Sequence, residues 1–188
     1  MTMPGYAIPA RLAGHFQRRF DDFWDRSGRF WRQLRARACR IEALKPADTD
    51  RIIAHFAELS PADRAARFNS ATSPKVIADR YRNLDWSRTR VLGAISGNRL
   101  VAVAEIAETD AAGQAGREVA LSVLDGWQGA QIGERLLRSA IQAVCEVEGL
   151  PLVMFARGDN SRMINLARKL GAEGTMCNGE YQAEFAPC

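Results

Sequence analysis

The stretch Arg117–Leu137, REVALSVLDGWQGAQIGERLL, decides how this chain of 188 residues is read. An apolar, strand-like run from Val119 to Leu124 meets a short turn, Asp125-Gly126-Trp127. A Gln-Gly-x-x-x-Gly segment follows and runs straight into an amphipathic helix pattern. The first-turn N–H groups of a helix have no intrahelical partners, and the helix dipole favours negative charge there. A strand that ends in a Gly-containing loop at a helix N-terminus is therefore a way to hold phosphate.

The loop also excludes two phosphate binders. A P-loop needs GxxxxGK[ST], whose lysine reaches the terminal phosphates; here Gly133 is followed by Glu134. A dinucleotide GxGxxG needs glycines that Gln128–Gly133 lacks.

Working outward, Arg40–Leu44 alternates as a strand, and Pro46 opens a helix to about Glu58. Ser60-Pro61 and Ser73-Pro74 each pair a capping hydroxyl with a first-turn proline, which predicts two more helices. Arg90–Ser96 and Leu100–Thr109 flank Gly97-Asn98 as a hairpin, and residues 118–124 add a strand. The helix after the loop ends at Gly149, and Pro151–Ala156 reads as a buried strand. Asp159 or Asn160 caps a last helix that stops at Gly171, before a terminal hairpin ending near Phe185. The order β-α-α-α-β-β-β-α-β-α-β-β predicts an α/β domain with a mostly antiparallel mixed sheet. The crossover through 129–148 should give one parallel pair at its centre.

Residues 1–38 form a separate extension. Phe16, Phe20, Phe23, Trp24, Phe30, Trp31 and Leu34 recur at helical spacing among arginines, giving an amphipathic helix with an aromatic face. Positions 10–36 suit packing on the domain itself, a second copy of the chain, or a membrane surface. Residues 1–40 carry nine Arg against three Asp, a balance of +6; the remainder carries 17 basic and 19 acidic residues, a balance of −2. The basic pI thus belongs to the extension and gives the domain at 39–188 no reason to bind nucleic acid. Cys39, Cys145, Cys177 and Cys188 show no CxxC spacing, which reads as reduced thiols in a cytoplasmic protein. With His15 and His55 the only histidines, a zinc site lacks ligands, and no metal is expected.

In these residues the chain resembles the GCN5-related N-acetyltransferases. VALSVLDGWQGAQIGERLL is similar to their motif A, with Gln128 in its first loop position, Gly133 in its last and Gln131 in place of the middle glycine. Asn160–Gly171 resembles their motif B, and Leu59–Phe68 resembles a helix of bacterial protein-lysine acetyltransferases. The resemblance covers about residues 38–186. It implies acetyl-CoA as cosubstrate and an amine acceptor, best taken as a protein lysine, with a small amine as the alternative. A non-catalytic acyl-CoA sensor is the rival reading.

The resemblance also assigns roles. Leu121, Ser122 and Val123 pair with the pantetheine arm, and the Ser122 N–H polarises the thioester carbonyl. The amides of Gly129, Ala130, Gln131, Ile132, Gly133 and Glu134 cradle the pyrophosphate. Asn160 contacts the pantetheine end, and Glu118 is the candidate base; the plainer reading of Glu118 is a solvated strand-end carboxylate. The tyrosine expected after Leu166 as general acid is Ala167. Tyr181 is a remote substitute and more simply a buried hairpin aromatic. Three further readings are open to direct check: Gln131 keeps a negative φ, Trp127 packs the loop, and His55 is a surface or boundary histidine.

Overall fold

The computed structural model describes residues 38–111 and 114–187. The aromatic–arginine segment at 10–36 lies outside the described residues.

Strand β1 (Arg40–Ala43) leads through a 3-10 turn at Pro46–Asp48 into helix α1 (Thr49–Glu58). Helices α2 (Pro61–Phe68) and α3 (Pro74–Arg82) follow. Both start as their sequences predict. Ser60 Oγ accepts from Asp63 N–H at 3.1 Å and Ser73 Oγ from Val76 N–H at 3.3 Å, each with proline in the first turn. Three antiparallel strands come next: β2 (Thr89–Ser96), β3 (Arg99–Ala111) and β4 (Gln114–Val123). Helix α4 (Ile132–Ile141) runs on as a π-helical segment, Gln142–Glu148, to the left-handed Gly149. Strand β5 (Leu152–Arg157), helix α5 (Ser161–Lys169) and the hairpin β6 (Glu173–Cys177) and β7 (Glu180–Phe185) complete the chain.

The seven strands form one sheet in the order β1-β2-β3-β4-β5-β7-β6. Every neighbouring pair is antiparallel except β4 and β5, the pair joined by the α4 crossover. The sheet separates two apolar layers. Ala102, Ala104, Ile106, Val119 and Leu121 face Leu136, Leu137 and Ala140 of α4 and Ile164 of α5. Val91, Ile95 and Val103 face Ile52 and Phe56 of α1 and Ile77 and Tyr81 of α3. This division follows from the two-residue alternation of strand side chains.

Candidate active site

The parallel pair is short. β4 and β5 are in register only at Arg117↔Leu152 and Glu118↔Val153, so the remainder of β4 parts from β5. Two bonds fix which backbone groups face the opening. Arg117 N–H donates to Pro151 O at 3.0 Å, toward β5, and Leu124 N–H donates to Val101 O at 3.0 Å, toward β3. Successive residues of a strand point their N–H groups to opposite sides. Leu121 and Val123 therefore present their amides to the gap, while Ser122 N–H faces Val103 of β3. This corrects the role expected for Ser122: its amide belongs to the sheet, and the amide available to polarise a carbonyl in the gap comes from an odd-numbered neighbour.

A cavity of about 830 Å³ opens at this gap. Its walls include Leu121, Ser122 and Val123 of β4, the loop residues Gln128, Gly129 and Gln131, Ile132 to Glu134 of α4, and Asn160 beside α5. Two of the expected site residues stand apart from that wall. Ala130 is 1 % exposed and packed in the core. Glu118 is half-buried two residues beyond Ala120, about 6.6 Å along the strand. Ile132 is also core, so it meets the cavity mainly through its backbone.

The loop is held by side chains around Gln128. Its Nε2 donates to Asp63 Oδ2 at 2.9 Å and to Val123 O at 3.2 Å, and its Oε1 accepts from Arg162 Nη1. Asn160 caps α5 by accepting Met163 N–H at 3.2 Å, which commits its oxygen to the helix. Glu134 sits among the first-turn amides of α4, and its charge is met by Lys169 at 2.6 Å and Arg138 at 3.2 Å. At Gly133 an added Cβ would lie 3.5 Å from both Leu121 Cδ2 and Val123 Cγ2 and 3.7 Å from Leu166 Cδ2. An added methyl there would make ordinary van der Waals contact with the side chains that line the groove between β4 and α5. The groove, the free β4 amides and the first-turn amides together fit a coenzyme A thioester.

Gln131 departs from expectation: its φ is +62°, not negative. The position takes the left-handed backbone that a glycine adopts easily, at a strain of about 1–2 kcal/mol for a side-chain-bearing residue. Gln131→Gly relieves that strain, partly offset by a freer unfolded chain. It is expected to stabilise the fold by about 0.5–1 kcal/mol, whereas Gln131→Val destabilises it; urea unfolding of the two variants measures both.

Burial makes Glu118 harder to ionise, and the nearby Glu105 charge adds to this; Arg67 and Arg80 pull the other way, and the net result is a raised pKa. Glu105 itself was not anticipated. It is 4 % exposed and receives Arg67 at 2.9 Å, Arg80 at 2.6 Å and the Tyr81 hydroxyl. Burial alone would raise its pKa, but Arg67, Tyr81 and Arg80 outweigh it and hold the carboxylate ionised. A lone glutamate inside the apolar run Leu100–Ala107 is the sequence signal for such a buried partner. His55 is not the surface or boundary histidine expected: it is 1 % exposed. The spacing Ile52, His55, Phe56, Leu59 follows one helix face and marks it as inward. Tyr181 is 1 % exposed inside the hairpin. Trp127 packs partly buried against both apolar layers. Among the described residues no cluster of His, Cys, Asp and Glu can hold a metal ion, and no helix is long and apolar enough to cross a membrane.

A mixed sheet that splays beside a loop running into a helix N-terminus is the arrangement of an acetyltransferase-type α/β fold. The model of the acetyltransferase (GNAT) family matches residues 55–172, more than half of the chain, and the chain belongs to that family. Solved structures agree in fold. The GNAT domain of PAT from S. lividans superposes with a TM-score of 0.67 at 21 % identity, over 79 % of this chain and 90 % of that one. The protein yncA from Salmonella typhimurium, solved with its cofactor acetyl-CoA, gives 0.64 at 17 % identity, over 80 % and 95 %. The PaiA N-acetyltransferase from Thermoplasma acidophilum, in complex with coenzyme A, gives 0.58 at 16 % identity, over 79 % and 98 %. No curated protein sequence matches the chain.

Proposed function

We propose that this protein is an acetyl-CoA-dependent N-acetyltransferase that acetylates a protein lysine. One observation carries the reading: β4 parts from β5 after Glu118, leaving the Leu121 and Val123 amides facing a groove that ends at the first turn of α4. Bound there, acetyl-CoA supplies an activated acetyl group. The α4 amides from Ile132 to Glu134 face the pyrophosphate. Leu121, one pleat nearer Glu118 than Val123, donates its N–H to the thioester carbonyl as charge develops on oxygen.

A lysine amine is mostly protonated at neutral pH and must lose a proton to attack. Glu118 accepts that proton through a chain of waters, since it stands one pleat off the cavity wall and two pleats from Ser122. The lysine assignment draws support from α2: Asp63, Ala66 and Arg67 of the stretch that resembles protein-lysine acetyltransferases line the same cavity. A small amine is the alternative acceptor.

Binding is tested first. Acetyl-CoA at about a hundred times its Kd is expected to stabilise the protein by about 2.7 kcal/mol, raising Tm by roughly 5–10 °C. An unchanged melting curve rejects the cosubstrate. Release of the CoA thiol with lysine peptides, but not with acetyl-CoA alone, then separates a transferase from a sensor.

A further inference from the structure

One buried polar pair, Ser122 of the cavity wall and His55 behind it, has no part in the chemistry above. His55 Nδ1 lies 3.2 Å from Leu100 O, and His55 Nε2 lies 2.8 Å from Ser122 Oγ. Both side chains are nearly sealed, His55 at 1 % and Ser122 at 8 % exposure, yet Ser122 lines the cavity. The geometry assigns the protons. A carbonyl oxygen only accepts, so Nδ1 carries the ring proton. Burial pushes the His55 pKa down to about 4, so the ring is neutral at pH 7 and Nε2 holds a lone pair. The Ser122 hydroxyl must then donate to Nε2.

A serine hydroxyl free to rotate offers a ligand either a donor or an acceptor. With its one proton committed to His55, Ser122 offers the cavity lone pairs only. It stands on the face of β4 that carries Ala120 and Glu118, because side chains alternate along a strand. The Ala120 methyl leaves space between the two polar groups. An amine that attacks a carbonyl carbon must aim its lone pair at that carbon, which leaves its N–H bonds to be held elsewhere.

We infer that Ser122 Oγ, locked as an acceptor by His55, receives one N–H of the acceptor amine and aims its lone pair at the thioester carbon. The inference rests on the transferase reading. Once Glu118 has taken the ammonium proton, a primary amine has two N–H groups: one stays on Ser122, and the other is lost to the departing CoA thiolate as the C–N bond forms and the C–S bond breaks. A secondary amine has a single N–H, which it must lose and so cannot keep on Ser122, and the site selects primary amines. His55 acts through Ser122 and is a positioning residue.

The test uses the full chain with acetyl-CoA, a lysine peptide and the same peptide carrying N-methyl-lysine. In Ser122→Ala, kcat/KM for the lysine peptide is expected to fall about tenfold, with KM for acetyl-CoA unchanged. Discrimination against the N-methyl peptide shrinks in the same variant. His55→Leu frees the hydroxyl and gives a similar loss, and adding it to Ser122→Ala costs nothing more, because the two act as one unit. His55→Gln restores most of the activity, since its amide can donate to Leu100 and accept from Ser122; this variant carries the comparison should His55→Leu not fold.

A long-range ¹H–¹⁵N spectrum should show His55 protonated at Nδ1. An Nε2-protonated ring, a Ser122→Ala variant within twofold of wild type, or losses that multiply in the double variant each overturn the inference alone. Wild-type protein that binds acetyl-CoA but releases no CoA with any amine overturns the transferase reading, and this inference with it.

Discussion

Replacing Glu118 by glutamine is expected to lower kcat/KM for the amine by about 10²-fold or more, the usual scale for losing a general base. Acetyl-CoA affinity should stay within about twofold, because Glu118 lies off the cavity wall. The pH profile gives a second readout. A base works only when ionised, so activity falls as pH drops through the Glu118 pKa. Burial, reinforced by Glu105, raises that pKa, which places the acid limb above the ordinary glutamate value of about 4.3. The limb should vanish in the glutamine variant. Equal kcat/KM for the two proteins at pH 7 removes Glu118 as the base and leaves the solvated-carboxylate reading.

The second large effect concerns stability. Arg67 is 6 % exposed at its side chain and is the buried partner of Glu105; Arg80, the other cation, is 52 % exposed. Arg67→Met is expected to destabilise the fold by about 3 kcal/mol, because it leaves a buried carboxylate with one solvated cation and the Tyr81 hydroxyl. Pairing it with Glu105→Gln should recover part of the loss, since the stranded charge is gone. The pH dependence has a definite sign. The folded pKa of Glu105 is depressed, so its contribution is present above the unfolded value of about 4.3 and is lost as pH falls through the folded pKa. Wild type and Arg67→Met should therefore converge in acid. Urea midpoints at pH 7 and pH 3 measure both, and a variant within 1 kcal/mol of wild type at pH 7 rules out the cluster as a structural anchor.

The element order and the one parallel pair were legible in the chain because they rest on local signals. Ser60-Pro61 and Ser73-Pro74 start helices by satisfying their own first turns. Gly97-Asn98 turns a hairpin, and the alternation of β2 to β4 defines two faces. The loop–helix junction at Gln128–Glu134 was equally plain, since a helix N-terminus attracts anions wherever it sits. Motif A and motif B named the cosubstrate class by resemblance.

Other features depended on the third dimension. Whether Ser122 or Leu121 turns its amide to the groove depends on pairing register, and a shift of one residue exchanges every N–H and every side chain between sides. No composition or spacing contains that choice; the bonds Arg117–Pro151 and Leu124–Val101 do. The positive φ of Gln131 likewise comes from the loop closing onto α4, which overrides the side chain's own preference. The pairs His55–Ser122 and Arg67–Glu105 join residues 67 and 38 positions apart. By itself the sequence determined which elements form and where a loop meets a helix N-terminus, because those depend on near neighbours along the chain. Only the tertiary structure decided which amide, which hydroxyl and which carboxylate face the groove, because that depends on strands and helices meeting across the sheet.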